Sequence, residues 1–168
     1  TAVHSMSDFF LLLMLAGAGD ELQGIKRGIM EMSDLIAITK ADGSNIDKAT
    51  MAKALYSNAL HLFPPSESGW VPTAMTSSAV TKEGLEEILL KIEEYFEMAK
   101  GNGYYIQRRK EQSRYWMYET INEGLKNRFF EDPRITGKLK DFEESVMEGR
   151  LGSFAAASEL LRLYNENR

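Results

Sequence analysis

The sequence contains no cysteine, only two histidines and no apolar segment of membrane-spanning length. Without cysteine, the 168 residues can form no disulfide, offer no thiolate nucleophile and give no sulfur ligand to a metal ion. The histidines, His4 and His61, lie far apart in the chain, so no metal site is expected. The longest apolar run, residues 9–18, is about half the length of a membrane span, and no basic segment precedes it as in a signal peptide. We therefore predict a cytoplasmic protein without a membrane segment.

Positively charged residues are outnumbered by negatively charged ones, and this argues against nucleic acid and anionic membranes as partners. Twenty Lys and Arg side chains stand against 25 Asp and Glu, which leaves a net charge of −5. No overall positive field favours nucleic acid or an anionic membrane surface, so we expect neither as a partner. The 43% of hydrophobic residues is ordinary for a soluble domain. The abrupt start at Thr1, close to the first apolar run, suggests a fragment or a processed chain.

Short apolar runs alternate with helical patterns in the first hundred residues. Strands are predicted at 8–15, 34–39 and 71–77, with a helix after each, and Ser44 and Thr81 are the expected caps of the second and third helices. This alternation predicts an α/β fold with a parallel sheet of three strands. After residue 100 only helical patterns remain. The predicted domains are therefore 1–100, built on the sheet, and 101–168, an all-helical extension.

One stretch, GDELQGIK at 19–26, superficially resembles a phosphate-binding loop. Such a loop needs lysine directly after its second glycine, but Ile25 occupies that position. Asp20 and Glu21 would also place negative charge where backbone N–H groups should hold phosphate oxygens. We therefore interpret the acidic residues as favourable charges at a helix amino terminus.

A second stretch has a more specific chemistry. Residues 39–42, TKAD, end the second predicted strand, as the Asn/Thr-Lys-x-Asp motif of GTPases does. The carboxylate of Asp42 can accept hydrogen bonds from both the ring N–H and the exocyclic amine of guanine, and adenine offers no such pair of donors. The aliphatic stem of Lys40 can lie along the base while its ammonium stays in water.

A third stretch strengthens this interpretation. Residues 76–80, TSSAV, follow the next predicted strand, where GTPases carry a second base-reading loop. Its backbone N–H groups can donate to the guanine carbonyl, and the small side chains of Ser78 and Ala79 allow the backbone to approach. Because ligands bind at the carboxyl ends of adjacent parallel strands, the two loops together predict half of a GTPase domain.

The run AGAGDELQGIKRGIMEMSDLIAITKADG at 16–43 resembles the P-loop GTPases of the MeaB/ArgK type. These accompany methylmalonyl-CoA mutase, and bacterial relatives carry the label of a LAO/AO transport ATPase. The later TSSAV and the helical last third follow the same order along the chain. The resemblance implies a GTPase that uses GTP or GDP with Mg²⁺, chaperones the adenosylcobalamin-dependent mutase and forms a homodimer through its C-terminal helices.

The resemblance also implies roles for individual residues. Thr39 replaces the commoner Asn and lacks the amide that would bridge to the phosphate loop. No catalytic residue and no metal ligand is expected within the chain. The implied guanine-binding residues are Thr39, Lys40, Asp42, Ser78, Ala79 and Val80, and the implied switch residues that relay the nucleotide state to the mutase are Asp20, Glu21, Gln23 and Lys26.

By the same resemblance, the phosphate loop, the first switch and the magnesium-binding aspartate would precede Thr1. We therefore expect this chain alone neither to hydrolyse GTP nor to bind it tightly, since phosphate and Mg²⁺ contacts carry both properties. Two alternatives stay open. One is a non-catalytic interaction and dimerisation module, and the other is a related metal-chaperone GTPase, which the lack of Cys and scarcity of His disfavour.

Overall fold

The computed structural model describes residues 2–15 and 27–166 of the chain. Within these residues, strands and helices alternate in the first part, and the chain from Tyr104 to Asn165 is helical. A single turn of 3-10 helix, Gly43–Asn45, precedes the third helix. The strands are β1 Leu11–Leu15, β2 Leu35–Thr39 and β3 Thr73–Thr76, and the helices are α1 Ala2–Met6, α2 Arg27–Glu31, α3 Ile46–Leu60, α4 Leu85–Gly101, α5 Tyr104–Phe130, α6 Pro133–Met147 and α7 Ser153–Asn165.

The three strands form a parallel sheet in the order β1-β2-β3. Leu11 to Leu15 pair with Leu35 to Thr39, and Leu35 to Ile38 pair with Thr73 to Thr76. The four residues at 35–38 are at most 1% exposed, as expected for a central strand that is covered on both faces. This confirms the predicted α/β fold with a three-stranded parallel sheet. The carboxyl ends of β2 and β3 consequently lie side by side.

Alternate residues of β2 belong to two separate apolar clusters, because successive side chains of a strand point to opposite faces. Ile36 and Ile38 pack in a cluster with the buried face of α3, which includes Ala49 and Tyr56. Leu35 and Ala37 pack in another cluster with Ile88 of α4. The two helices that follow β2 and β3 therefore anchor the strands whose ends form the site.

The predicted helix caps at Ser44 and Thr81 are wrong. Helix α3 begins at Ile46 after the 3-10 turn, and no side-chain hydrogen bond caps it. Helix α4 begins at Leu85, preceded by Gly84 in the left-handed conformation. The hydroxyl of Thr81 instead accepts a hydrogen bond from the backbone N–H of Glu83 (3.4 Å) and lies 3.3 Å from its carboxylate. In both places, a local turn separates the predicted cap from the first residue of the helix.

Arg108 connects α1 and the segment after it to α5 by several hydrogen bonds. The guanidinium of Arg108 donates to the carbonyl oxygens of His4 (3.0 Å) and Ser7 (3.2 Å) and to the hydroxyl of Tyr104 (3.0 Å). It also lies 3.2 Å from Nε2 of His4, which accepts because arginine can only donate. Burial and then the positive charge of Arg108 lower the pKa of the His4 imidazole.

The chain divides into two compact units, Thr1–Gln112 and Ser113–Arg168. The division lies inside α5 and therefore beyond residue 100, the boundary expected from the sequence. In the second unit, α6 packs against α7 around the buried side chains of Ile135, Ala156 and Leu160. Asp132 caps α6 by accepting from the backbone N–H of Arg134 (2.9 Å), as the Asp-Pro pair predicts.

Among the described residues, no helix is long and apolar enough to cross a membrane.

Candidate functional site

The two candidate base-reading loops are joined by backbone hydrogen bonds at the carboxyl ends of β2 and β3. The N–H of Ser77 donates to the carbonyl of Ile38 (2.8 Å), and the N–H of Ala41 donates to the carbonyl of Ser77 (3.0 Å). The parallel pairing of the strands thus continues into the loops. This extension brings Asp42 of the first loop beside Ser78 of the second.

The hydroxyl of Ser78 holds the carboxylate of Asp42. Ser78 Oγ donates to Asp42 Oδ2 at 2.5 Å, and the same oxygen accepts from the N–H groups of Val80 and Thr81, each at 3.1 Å. Because two donors already point at this oxygen, its own hydrogen is directed to Asp42. Ser78 is fully buried, while Asp42 is only partly covered. Among residues 2–15 and 27–166, no other group donates to the carboxylate, so it retains free acceptor capacity.

In the second loop, one backbone N–H differs from its neighbours. The N–H groups of Ser77 and Ser78 donate to the carbonyls of Ile38 and Glu83, and those of Val80 and Thr81 donate to Ser78 Oγ. The N–H of Ala79 has no acceptor within the described part of the chain. The Ala79 side chain is also exposed and small. A ligand with a carbonyl oxygen can therefore approach this N–H without displacing a protein group.

Lys40 adopts an unusual backbone conformation between the strand and Asp42. Its φ is +58°, in the left-handed region that residues with a Cβ seldom adopt. Its carbonyl accepts from the side-chain amide of Asn45 at 2.8 Å. The lysine side chain is exposed, so its stem is available to cover a base while the ammonium stays in solvent. Nothing in the sequence singles out Asn45 for this contact, because only the course of the backbone brings the Lys40 carbonyl within reach of its amide.

Thr39 and Val80, two other predicted site residues, do not join the polar pair. The Thr39 hydroxyl donates to the carbonyl of Met14 at 3.0 Å, so it ties the end of β2 to β1. Val80 contributes its backbone N–H to the loop, while its side chain is 81% exposed. The predicted switch residues Asp20, Glu21, Gln23 and Lys26 lie outside the described residues.

Gly84 is a further residue of the site that the sequence patterns did not reveal. Its φ is +76°, and a Cβ built on it would lie 2.0 Å from the carbonyl oxygen of Thr76. Only glycine permits the start of α4 to approach the end of β3 this closely. The close approach of α4 to the second loop therefore depends on a residue outside the TSSAV motif.

The two loops together offer one acceptor group and one donor to a ligand. The carboxylate of Asp42 can accept from a ring N–H and an exocyclic amine, as guanine has, and the N–H of Ala79 can donate to a carbonyl oxygen. Within residues 2–15 and 27–166, no group of three or more Asp, Glu or His side chains could hold a metal ion.

Comparison with known proteins identifies the family of the chain. The model of the family described as "Methylmalonyl Co-A mutase-associated GTPase MeaB" matches residues 1–134. The chain belongs to the MeaB family. A relative from Caulobacter vibrioides named "Putative GTPase" is 37% identical over 164 residues, which are 98% of this chain and 50% of that protein. The mouse protein "Methylmalonic aciduria type A homolog, mitochondrial" is 37% identical over 163 residues, which are 97% of this chain and 39% of that protein.

A solved structure shares the fold of this MeaB-family chain. The crystal structure of a protein described as "LAO/AO transport system kinase" matches with a TM-score of 0.77 and 30% sequence identity. The match covers 96% of this chain and 52% of that one. The chain therefore spans about half the length, or less, of the known relatives that it matches.

Proposed function

We propose that the two loops at the ends of β2 and β3 read the guanine base of GTP and GDP. The observation that carries this proposal is the pairing of a fixed, partly unsatisfied carboxylate at Asp42 with the available N–H of Ala79. Adenine has an amine where guanine has its carbonyl and has no ring N–H at the adjacent position. Adenine would therefore leave both protein groups without partners, and an unpaired polar group in a site rejects the wrong ligand strongly.

For the whole protein, the proposed activity is GTP hydrolysis coupled to chaperoning an adenosylcobalamin-dependent methylmalonyl-CoA mutase. Membership of the MeaB family supports this function, and so does the name of the mouse relative. GTP or GDP with Mg²⁺ is then the expected ligand of the full-length protein. Asp20, Glu21, Gln23 and Lys26 remain the proposed residues that relay the nucleotide state to the mutase.

The 168 residues by themselves are proposed to be inactive towards GTP. They contain no Gly-x-x-x-x-Gly-Lys-Ser/Thr sequence, whose backbone and lysine hold the β- and γ-phosphates in P-loop proteins. The base contacts then contribute only weak affinity. Measurable GTP turnover by the purified chain would contradict this part of the proposal.

The helical unit is proposed to form a homodimer. Its support is a groove of about 660 Å³, lined mainly by apolar side chains of α6, α7 and the end of α5. Met147, which lines the groove, is 86% exposed, and Phe154, which follows the lining residue Ser153 in the chain, is 90% exposed. Apolar patches of this kind mark surfaces that bind protein.

Two measurements test the proposed function of the whole protein. The first is competition of GDP and ADP for the protein, in which only GDP should bind. The second is co-purification with a cobalamin-dependent mutase in the presence of GDP or a non-hydrolysable GTP analogue. Equal binding of ADP would contradict the proposed recognition of guanine. Failure to associate with the mutase in any nucleotide state would contradict the proposal that the mutase is the partner.

A further inference from the structure

The left-handed conformation of Lys40 needs a stabilising contact. At φ +58° its Cβ crowds the following backbone, so an isolated chain spends little time in this conformation. Asp42 lies only two residues further on, and its carboxylate must point towards Ser78 and the base. The direction of the chain at Lys40 therefore decides whether Asp42 is presented correctly.

Asn45 supplies that contact across the turn. Its side-chain Nδ2 donates to the Lys40 carbonyl at 2.8 Å, and its backbone N–H donates to the carbonyl of Asp42 at 3.0 Å. These two bonds close the loop on both sides of Ala41. No group in the described residues other than Asn45 donates to the Lys40 carbonyl.

Asn45 makes this contact instead of the one normally expected at its position. It directly precedes α3, where an asparagine side chain usually accepts from a backbone N–H of the first helical turn. Here it makes no capping hydrogen bond. The side chain thus serves the loop before it rather than the helix after it.

We propose that Asn45 is a positioning residue for guanine recognition, which holds Lys40 left-handed so that Asp42 faces the base. This inference rests on the proposed function. When the Asn45 amide is removed, the loop divides its time between the binding conformation and more relaxed ones. The apparent affinity for guanine nucleotides then falls by the fraction of time lost.

The test uses the full chain labelled with ¹⁵N and ¹³C and titrated with GDP at millimolar concentrations by NMR. Asn45→Ala should weaken GDP binding about fivefold, the factor that corresponds to the net value of one hydrogen bond. Asn45→Asp should weaken it at least as much, because a carboxylate cannot donate to a carbonyl. It should leave the thermal stability unchanged or raised, because Asp is a good cap for α3. Ser44→Ala, in the same turn, is the matched control and should change neither property.

Two further readouts separate positioning from a general loss of structure. The backbone ¹³C shifts of Lys40 should move towards ordinary values in Asn45→Ala without GDP present. In a protein that already carries Lys40→Gly, Asn45→Ala should reduce the affinity for GDP only about twofold, because glycine enters the left-handed region readily.

Each outcome then has a distinct meaning. Unchanged Lys40 shifts together with unchanged GDP affinity in Asn45→Ala would overturn the inference. An Asn45→Asp protein that loses stability and affinity together would also overturn it, since Asn45 would then be a structural residue. If GDP moves no resonance of Ala79 or Asp42 in the unmodified chain, the proposed function fails. In that case, the backbone ¹³C shifts of Lys40 in Asn45→Ala, measured without GDP, still test whether Asn45 holds the loop.

Discussion

The change Asp42→Asn tests base reading with the smallest structural disturbance. Ser78 Oγ must give its hydrogen to residue 42, because the N–H groups of Val80 and Thr81 occupy its acceptor side. The amide oxygen of the substituted side chain is therefore held by Ser78, and its NH₂ group is turned towards the base. Guanine presents only donors there, so one favourable contact becomes a clash between two donors.

The expected loss follows from the contacts removed. A hydrogen bond to a charged group contributes about 1.5–3 kcal/mol, so losing one and weakening the other should reduce GDP affinity about 30- to 150-fold. Xanthine has a carbonyl where guanine has its amine, which matches the turned NH₂ group. Xanthosine diphosphate should therefore bind the Asp42→Asn protein better than GDP does, whereas GDP should bind better to the unchanged protein.

The assay is NMR titration of both proteins with GDP, ADP and xanthosine diphosphate. Asp47→Asn is a matched control, because it removes the same charge from an exposed carboxylate in the first turn of α3. It should keep the preference for GDP. An Asp42→Asn protein that retains the GDP affinity of the unchanged chain, or gains nothing for xanthosine diphosphate, would refute the assignment of Asp42.

Three further predictions concern stability and assembly. Gly84→Ala should lower the free energy of unfolding by about 3 kcal/mol or more, because strain and a backbone clash add. Gly69→Ala is the control, because φ at Gly69 is +78° but nothing lies within 4 Å of the added Cβ, and it should lower the free energy of unfolding by only about 1 kcal/mol. Equal urea midpoints for the two variants would contradict the predicted clash between residue 84 and Thr76. Because burial, and then the positive charge of Arg108, lower the pKa of His4 in the folded state, protons bind the unfolded chain more readily. Stability should therefore decline as the pH falls through 6.5, the ordinary pKa of histidine, and His4→Gln should show a smaller decline in urea denaturation. Phe154→Glu should shift a dimer to monomer in sedimentation equilibrium, and an unchanged mass would contradict the proposed dimer surface.

The sheet and the two loops could be predicted because their signals are local and strong. Within the strand predicted at 34–39, residues 35–38 are apolar without alternation, which is typical of a strand buried on both faces, and these residues form the buried part of β2. Once β2 and β3 are parallel neighbours, the loops that follow them must meet. The contact between Asp42 and Ser78 thus follows from topology as well as from the motif.

The supporting contacts could not be predicted, because they depend on the course of the backbone. Nothing in the sequence assigns Asn45 a role beside Ser44, the predicted cap, because only the left-handed turn at Lys40 brings a carbonyl within reach of the Asn45 amide. Thr39 belongs to the motif by position, yet its hydroxyl reaches Met14 because β1 ends beside it. The need for glycine at residue 84 likewise appears only when α4 and β3 are placed together.

The boundary between the units could not be located from the sequence for a related reason. The break KGNG at 100–103 ends one helix, but α5 begins directly after it and its first turns belong to the sheet unit. Arg108 and Gln112 on these turns donate to the carbonyl of Ser7, far away in the sequence. A change of composition therefore marks the end of the strands rather than the end of the unit.

The most direct test of the account is to follow the backbone N–H of Ala79 in ¹⁵N NMR spectra during titration with GDP and, separately, with ADP. If the loops read guanine, this N–H acquires an acceptor, and its resonance should shift downfield with GDP at millimolar concentrations. The resonances of Asp42 should move with the same binding curve, and ADP should affect neither. An Ala79 resonance that stays unmoved by GDP, or that responds equally to ADP, would contradict the central claim.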